Sequence, residues 1–195
     1  MNGYKDYIDL SKGIGILLVV IGHGSLNNFY INVFHMPLFF CITGLTFIAP
    51  RIEDYQKFLT KKINRILVPW IAFSVISRIV EAVVGRIGDG PFNGPLWFLQ
   101  TMFVAIVIYS VLNICVRNRT VFNILCFSLP IVVYVLQVYL HADAYMPFGI
   151  IRAMEATFYI HLGFCVKRFD SLTIKPSFAL LLLTMISFAG GGIFQ

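Results

Sequence analysis

Charged residues are scarce in this sequence. Asp, Glu, Lys and Arg make up 12% of its 195 residues, whereas hydrophobic residues make up 58%, and the mean hydropathy is +0.83. A soluble globular chain averages about 25% charged residues, because a domain must cover itself with polar side chains to stay in water. The shortage of charge therefore excludes an ordinary water-facing surface and predicts a protein embedded in a lipid bilayer.

Cysteine is also sparse, and its pattern is uninformative. The four cysteines lie inside or at the edge of apolar runs: Cys41, Cys115, Cys126 and Cys165. No two of them have the paired spacing of a disulfide framework or a zinc site. We expect no metal site and interpret these residues as small buried hydrophobes.

Other signals that would indicate a different organisation are missing. The first apolar run is preceded by acids as well as Lys5 and Lys12 and has no small-residue cleavage site, so we expect it to remain as a membrane anchor. No internal repeat or low-complexity stretch divides the chain, which predicts a single transmembrane domain over residues 1–195. The net charge is +6, but the cations form short clusters between apolar runs, which argues against a nucleic-acid partner.

The apolar runs are long enough to cross a bilayer as helices. A helix rises about 1.5 Å per residue, so about 20 apolar residues cross about 30 Å of hydrocarbon. Seven segments qualify: Ile8 to Leu26, Val33 to Ala49, Ile66 to Val84, Leu96 to Val116, Val121 to Leu140, Gly149 to Val166 and Phe178 to Phe194. The predicted fold is an all-α, multi-pass transmembrane helical bundle of about seven helices.

The cations indicate how these helices are oriented, because Lys and Arg of short loops are retained in the cytoplasm. With the N-terminus in the cytoplasm, four groups of cations lie inside: Lys5 and Lys12; Arg51, Lys57, Lys61, Lys62 and Arg65; Arg117 and Arg119; Lys167, Arg168 and Lys175. Of the 15 cations, only Arg78, Arg86 and Arg152 then lie in or near the outer halves of helices. The pattern predicts a cytoplasmic N-terminus and argues against a seven-helix signalling receptor, whose N-terminus lies outside.

The segment from Arg51 to Arg65 combines charged residues with apolar residues at helical spacing. This pattern is typical of an amphipathic helix lying in the membrane interface. A solvated loop that only sets the topology is an equally good interpretation.

Helix 1 carries three ionisable residues, and such residues are expensive inside a membrane span. Asp9 and Lys12 are three apart and can neutralise each other. Lys12 and His23 are separated by about three helical turns, which places them on one face about 16 Å apart along the axis. Lys12 would lie near the cytoplasmic interface and His23 in the outer half of the span.

A second histidine, His35, lies near the predicted outer start of helix 2, beside Pro37 in the predicted first turn. The short connection makes helices 1 and 2 antiparallel neighbours, so His23 and His35 could converge. Imidazoles at this position suit general base catalysis on a hydroxyl. Packing histidines, a bis-histidine haem site and the proton relay of a transporter remain as alternatives.

Polar residues in the later helices have simpler interpretations. Arg78 and Glu81 are three apart and are expected to form a structural ion pair. We interpret His161 as a packing residue rather than a ligand. Trp97 opens helix 4 at the outer interface, where tryptophan is common in membrane proteins.

Several motifs occur in a characteristic order: Ile8-Asp9-Leu10-Ser11-Lys12-Gly13 running to Val20-Ile21-Gly22-His23; Phe34-His35-Met36-Pro37-Leu38-Phe39-Phe40 with Thr43-Gly44; Lys61 to Arg65 with Pro69; and Gly94-Pro95-Leu96-Trp97-Phe98-Leu99. Together they resemble the acyltransferase family 3 membrane proteins, particularly the short branch that includes the fucose 4-O-acetylase-like enzymes. The resemblance covers the N-terminal half of the chain well and the rest only as hydrophobic helices.

The resemblance implies an acyltransferase of the cell (inner or plasma) membrane. Such an enzyme moves an acyl group, usually acetyl from cytoplasmic acetyl-CoA, to a hydroxyl of a cell-envelope carbohydrate, and it holds no permanent cofactor. The family has a basic residue and a histidine with ten residues between them in the first helix, and Lys12 and His23 fit this signature. By the same resemblance His23 is the catalytic base or transient acyl carrier, and His35 is a second catalytic or structural residue.

The resemblance also implies roles for other residues. Lys12 and Arg65 are expected to meet the anionic acyl-CoA from the cytoplasmic side, with Lys61 and Lys62 on the same membrane face. Apart from the resemblance, we name Asp9, Trp97, Arg78 and Glu81 as supporting residues. Members of the family usually have more helices than the seven counted here, so we expect a shortened chain that lacks the C-terminal helices.

A small-molecule transporter is the main alternative function. It would be supported by an internal repeat or by paired broken helices, neither of which the sequence displays. A haem protein using His23 and His35 is a further alternative.

Overall fold

A computed structural model describes residues 2–22, 29–84, 96–140 and 149–169, with side chains at 8–22, 36–84, 96–139 and 149–167. These residues are almost entirely helical and contain no strand. The helices are α1 (Asn2–Gly22), α2 (Phe29–Leu45), α3 (Tyr55–Lys62), a π-helical turn (Ile63–Leu67), α4 (Val68–Val84), α5 (Trp97–Cys115), α6 (Arg119–Leu140) and α7 (Ile150–Phe169). The predicted all-α fold is confirmed.

Six of the seven predicted spans coincide with helices, and the seventh, Phe178 to Phe194, lies outside the described residues. The start of the second span was wrong: α2 begins at Phe29 rather than Val33. Pro37 therefore lies inside α2 and not in its first turn. Because proline has no backbone N–H, it removes one hydrogen bond from the interior of this helix.

The length and apolarity of the helices agree with a multi-pass membrane protein. Within the described residues, three helical runs are long and apolar enough to cross a bilayer: Tyr55–Val84, Trp97–Cys115 and Arg119–Tyr139. Met36–Leu45 is a shorter apolar helix. The cytoplasmic position of the N-terminus stays a prediction.

The predicted amphipathic segment is helical only from Tyr55 onward, since residues 51–54 lie outside any helix. α3 continues without a break through the π-helical turn into α4. The amphipathic segment is therefore the first part of a long helix and not a solvated loop.

The described residues fall into two compact units. The first takes its residues from 1–48 and 156–195, and the second comprises residues from 49–155. The first unit thus contains α1, α2 and the larger part of α7, and the second contains α3 to α6 and the start of α7. The prediction of a single domain stays a prediction.

In the first unit, α2 and α7 approach each other closely at two glycines. A β-carbon on Gly44 would collide with the carbonyl of Ile160, and one on Gly163 would collide with the carbonyl of Cys41. Small residues allow this kind of backbone approach between membrane helices, where dispersion contacts rather than hydrophobic exclusion drive packing. Beside this contact, Phe47 packs edge-on against Phe164, with ring centroids 6.3 Å apart.

In the second unit, α5 contributes one buried stripe. Its buried residues recur at helical spacing: Thr101, Met102, Ala105, Ile106, Tyr109 and Ser110. The Tyr109 ring lies 5.5 Å from the ring of Phe122 in α6. Val133 of α6 and Ile151 of α7 form a second buried cluster with Leu136 and Met154.

The outward faces of α1, α4 and α6 are apolar. Exposed side chains include Leu17, Val83 and Ile131. Such a surface is unfavourable in water but suits contact with acyl chains. Hydroxyls in α4 and α6 are satisfied locally, since Ser74 donates to the Trp70 carbonyl at 2.6 Å and Ser128 donates to the Leu125 carbonyl at 2.9 Å.

The prediction for the cysteines was correct for Cys41 and Cys126, which are buried, and wrong for Cys115, which is exposed. Cys165 is partly buried. Cys115 ends α5, and a residue at a helix end loses the neighbours that would cover it within the bundle.

We expect Gly44→Ala and Gly163→Ala to lower the free energy of unfolding by about 1–3 kcal/mol, the usual effect of forcing a methyl group into a packed interior. Gly13→Ala is the matched control, because a β-carbon there has no atom within 4 Å. Thermal unfolding in detergent measures the difference. Equal midpoints for the three variants would contradict the close contact between α2 and α7.

Candidate functional site

The charged residues of α1 form the predicted ion pair. Lys12 Nζ lies 3.0 Å from Asp9 Oδ1, and the side chains are 45% and 72% exposed. Downstream of the pair, α1 packs against α2, with Gly15 facing the Phe39 ring. Lys12 is the eleventh of the 21 residues of α1 and is thus held at the middle of this helix, with part of its surface open.

Of the two predicted catalytic histidines, His23 lies outside the described residues, directly after the last residue of α1. His35 lies in α2, whose backbone is described at this position. Because α2 begins at Phe29, His35 is about 9 Å along the helix from its start at about 1.5 Å per residue. It is therefore deeper in the helix than predicted, and the convergence of the two imidazoles stays a prediction.

The basic residues between α2 and α4 surround the π-helical turn. Pro69 cannot donate to the Arg65 carbonyl four residues back. Instead, the N–H of Val68 donates to the Ile63 carbonyl, five residues back, which defines the wider turn. Such turns are rare and are often found at functional sites. Arg65 lies within this turn and is exposed.

Lys62 differs from its neighbours because it is partly buried. Its Nζ lies 5.5 Å from the centroid of the Phe58 ring, in the part of the helix before the apolar stretch. Burial, followed by the charges of Arg65 and Lys61, lowers the pKa of Lys62.

The amphipathic helix α3 contacts α5. The Ser110 hydroxyl lies 3.5 Å from the Tyr55 hydroxyl, and the π-helical turn packs against α5. The basic segment is thus attached to a buried helix, so its position relative to α5 is defined.

The predicted pair in α4 is present: Arg78 Nη1 lies 3.2 Å from Glu81 Oε2. Trp97, the first residue of α5, is covered by the guanidinium of Arg152, which lies 5.1 Å from its ring centroid. This contact was not predicted, because the two residues belong to different helices.

α7 carries buried polar residues that the sequence prediction omitted. Glu155 is 2% exposed and Thr157 is fully buried. The rule that ionisable residues in a span are functional candidates would have identified Glu155. His161 is also fully buried, which agrees with its interpretation as a packing residue, and its Nε2 lies 3.4 Å from Cys165 Sγ. Within the part of the chain that the structure describes, no group of three or more His, Cys, Asp or Glu could hold a metal ion.

A comparison with protein families places these features in context. The family model of acyltransferase family 3, described as an acyltransferase domain, matches residues 5–195. The chain belongs to this family. It is a membrane enzyme that transfers acyl groups other than aminoacyl groups. No curated protein and no solved structure matches the chain.

The match confirms the resemblance noted in the motifs and extends it to the C-terminal half of the chain. The assignment to the fucose 4-O-acetylase-like branch stays a prediction. So do the roles of the individual site residues.

We expect Arg78→Met to destabilise the protein more than the double variant Arg78→Met, Glu81→Met. The single change leaves the Glu81 carboxylate without the partner 3.2 Å away, whereas the double change removes both charges. The difference should be about 1–2 kcal/mol, between the values of exposed and buried pairs. Chemical denaturation in detergent measures it, and a double variant less stable than the single one would count against an ion pair within the span.

Proposed function

We propose that this protein is an O-acyltransferase of the plasma (inner) membrane that moves an acetyl group from cytoplasmic acetyl-CoA to a hydroxyl of a cell-envelope carbohydrate. The observation that carries the proposal is the family match over residues 5–195. The exposed apolar helix faces support a reaction at the bilayer. The participants outside the chain are then lipid, acetyl-CoA as co-substrate and a glycan acceptor, with no permanent cofactor.

The donor is proposed to bind at the cations of the predicted cytoplasmic side. Coenzyme A carries phosphates, and charge-assisted hydrogen bonds from lysine and arginine are the usual means of holding them. Lys12 and Arg65 both have accessible side chains. In Lys12 the ammonium already pairs with Asp9, which leaves it two further N–H donors for a phosphate.

Arg65 supports donor binding for a different reason. It lies in a wide helical turn among Lys61 and Lys62, so three positive charges are close together in sequence. Like charges this close are unfavourable without an anion, and this repulsion adds to the effect of burial in lowering the pKa of Lys62. A bound phosphate would relieve it.

The chemistry is assigned to His23, assisted by His35. In the proposed step His23 accepts the proton of the acceptor hydroxyl while that oxygen attacks the carbonyl carbon of the thioester. The carbon–sulfur bond then breaks, and the coenzyme A thiolate leaves and takes up the proton. A histidine suits this exchange because it both accepts and releases a proton near neutral pH.

The remaining site residues are proposed to act in support. Asp9 orients Lys12 through the 3.0 Å ion pair. Arg78 and Glu81 stabilise α4 through their own pair. Trp97 lies at the predicted outer end of α5.

Replacing His23 tests the proposed chemistry. Membranes containing His23→Ala should transfer labelled acetyl from acetyl-CoA to envelope glycan at least about a hundredfold more slowly than the parent, the usual contribution of a general base. His141→Ala removes another histidine from a predicted outer loop and should retain full transfer. Immunodetection of both variants in the membrane fraction shows that they insert. Unchanged transfer by His23→Ala would overturn the assignment.

Replacing the cations tests the donor site. We expect Lys12→Gln and Arg65→Gln each to raise the KM for acetyl-CoA about tenfold with a smaller change in kcat, since a charge-assisted hydrogen bond contributes about 1.5 kcal/mol. Lys57→Gln, which removes an exposed cation of α3 outside the proposed site, should leave the KM unchanged. The same rise in all three variants would indicate a general effect of charge instead of specific contacts.

A further inference from the structure

Arg152 is an unusual cation in this protein. By the charge distribution along the chain it lies on the outer side, where only Arg78 and Arg86 accompany it. Arg78 is paired with Glu81, and Arg86 lies outside the described residues. The Arg152 side chain is exposed and makes no ion pair with a carboxylate in the described part of the chain. Glu155, the nearest acid along α7, is instead buried.

The position of Arg152 is electrostatically unfavourable. It lies in the first turn of α7, where the aligned peptide dipoles place positive partial charge. The first residue of α5 is adjacent, because the Trp97 ring centroid lies 5.1 Å from the guanidinium of Arg152. An anion bound at Arg152 would be stabilised by the guanidinium and by the N-terminus of α7.

Among the described residues, Trp97 holds the guanidinium of Arg152. Arg152 lies over the indole face, 5.1 Å from the ring centroid, and a cation is attracted to the negative face of the ring. The Arg152 side chain is exposed, and the N–H groups at the edge of a guanidinium can bind a carboxylate or phosphate through two parallel hydrogen bonds.

We propose that Arg152 binds an acidic group of the acceptor, with Trp97 as its positioning residue, so that the acceptor is a carbohydrate bearing a carboxylate or phosphate. This inference rests on the proposed function, since it identifies the acceptor class. The donor is a less suitable occupant, because its proposed cations lie on the predicted cytoplasmic side and Arg152 lies on the predicted outer side. The phosphate of an outer-leaflet lipid shares the chemistry and is distinguished below.

The test uses Trp97 as its own reporter. The chain has two tryptophans, so Trp70→Phe leaves Trp97 as the only one. In purified full-length Trp70→Phe protein, trigalacturonate should change the fluorescence at a concentration at least about tenfold lower than a neutral galactose trisaccharide, as one charge-assisted contact predicts. Equal responses to the two sugars would overturn the proposal.

Variants at Arg152 separate binding from structure. Arg152→Gln should abolish the preference for trigalacturonate, and Arg152→Lys should retain part of it, because lysine keeps the charge but not the bidentate geometry. Arg119→Gln is the matched control, since Arg119 lies 5.2 Å above the Phe122 ring at the start of α6, and it should keep the full preference. An unchanged preference in Arg152→Gln would overturn the proposal.

A second titration, in two different lipids, identifies the source of the anion. The titration is repeated in nanodiscs of phosphatidylcholine and of phosphatidylglycerol. A fluorescence change produced by phosphatidylglycerol alone, with no further response to trigalacturonate in either lipid, would assign the site to lipid and overturn the acceptor proposal.

Acetyl transfer from labelled acetyl-CoA is measured in parallel on acidic and neutral glycans. Equal transfer to both would contradict the acidic acceptor while sustaining the proposed function. No transfer to any glycan would contradict the proposed function, and the titration would still decide whether Arg152 binds an anion.

Discussion

Every polar group in a lipid-embedded chain must find its partner within the protein, and this constraint explains most of the structure. Hydrocarbon offers no hydrogen bonds, so the backbone of the described residues is helical. The same requirement explains why the Ser74 hydroxyl donates to a carbonyl of its own helix at 2.6 Å. Charges follow the rule as ion pairs three residues apart, Asp9 with Lys12 and Arg78 with Glu81. Arg152 instead contacts the aromatic ring of Trp97.

Much of the fold could be predicted from hydrophobic run length alone, because the length of a span is set by the bilayer. The boundary of α2 could not, since the residues from Phe29 to Asn32 are less uniformly apolar and their helical state depends on packing. The buried face of α5 could not be predicted either. Its sequence is apolar on all sides, so periodicity does not distinguish the face that contacts Tyr55 and Phe122 from the face toward lipid.

The candidate site was predictable where contacts are local. Pairs three residues apart on one helix follow from helical geometry, and both predicted pairs are present. Contacts between helices, such as Trp97 with Arg152, depend on the rotation and tilt of each helix. These two quantities cannot be predicted from the periodicity of a single sequence. Family membership provides the reaction class but not the acceptor.

The π-helical turn at Ile63–Leu67 has a geometric consequence for the long helix Tyr55–Val84. One additional residue in a helical turn rotates the side-chain directions of all later residues by about 100° relative to an uninterrupted α-helix. The charged face of α3 is therefore rotated about the helix axis relative to the apolar face of α4. A single continuous helix can then direct its cations toward the membrane surface and its apolar side chains toward the bilayer interior, without a loop between them.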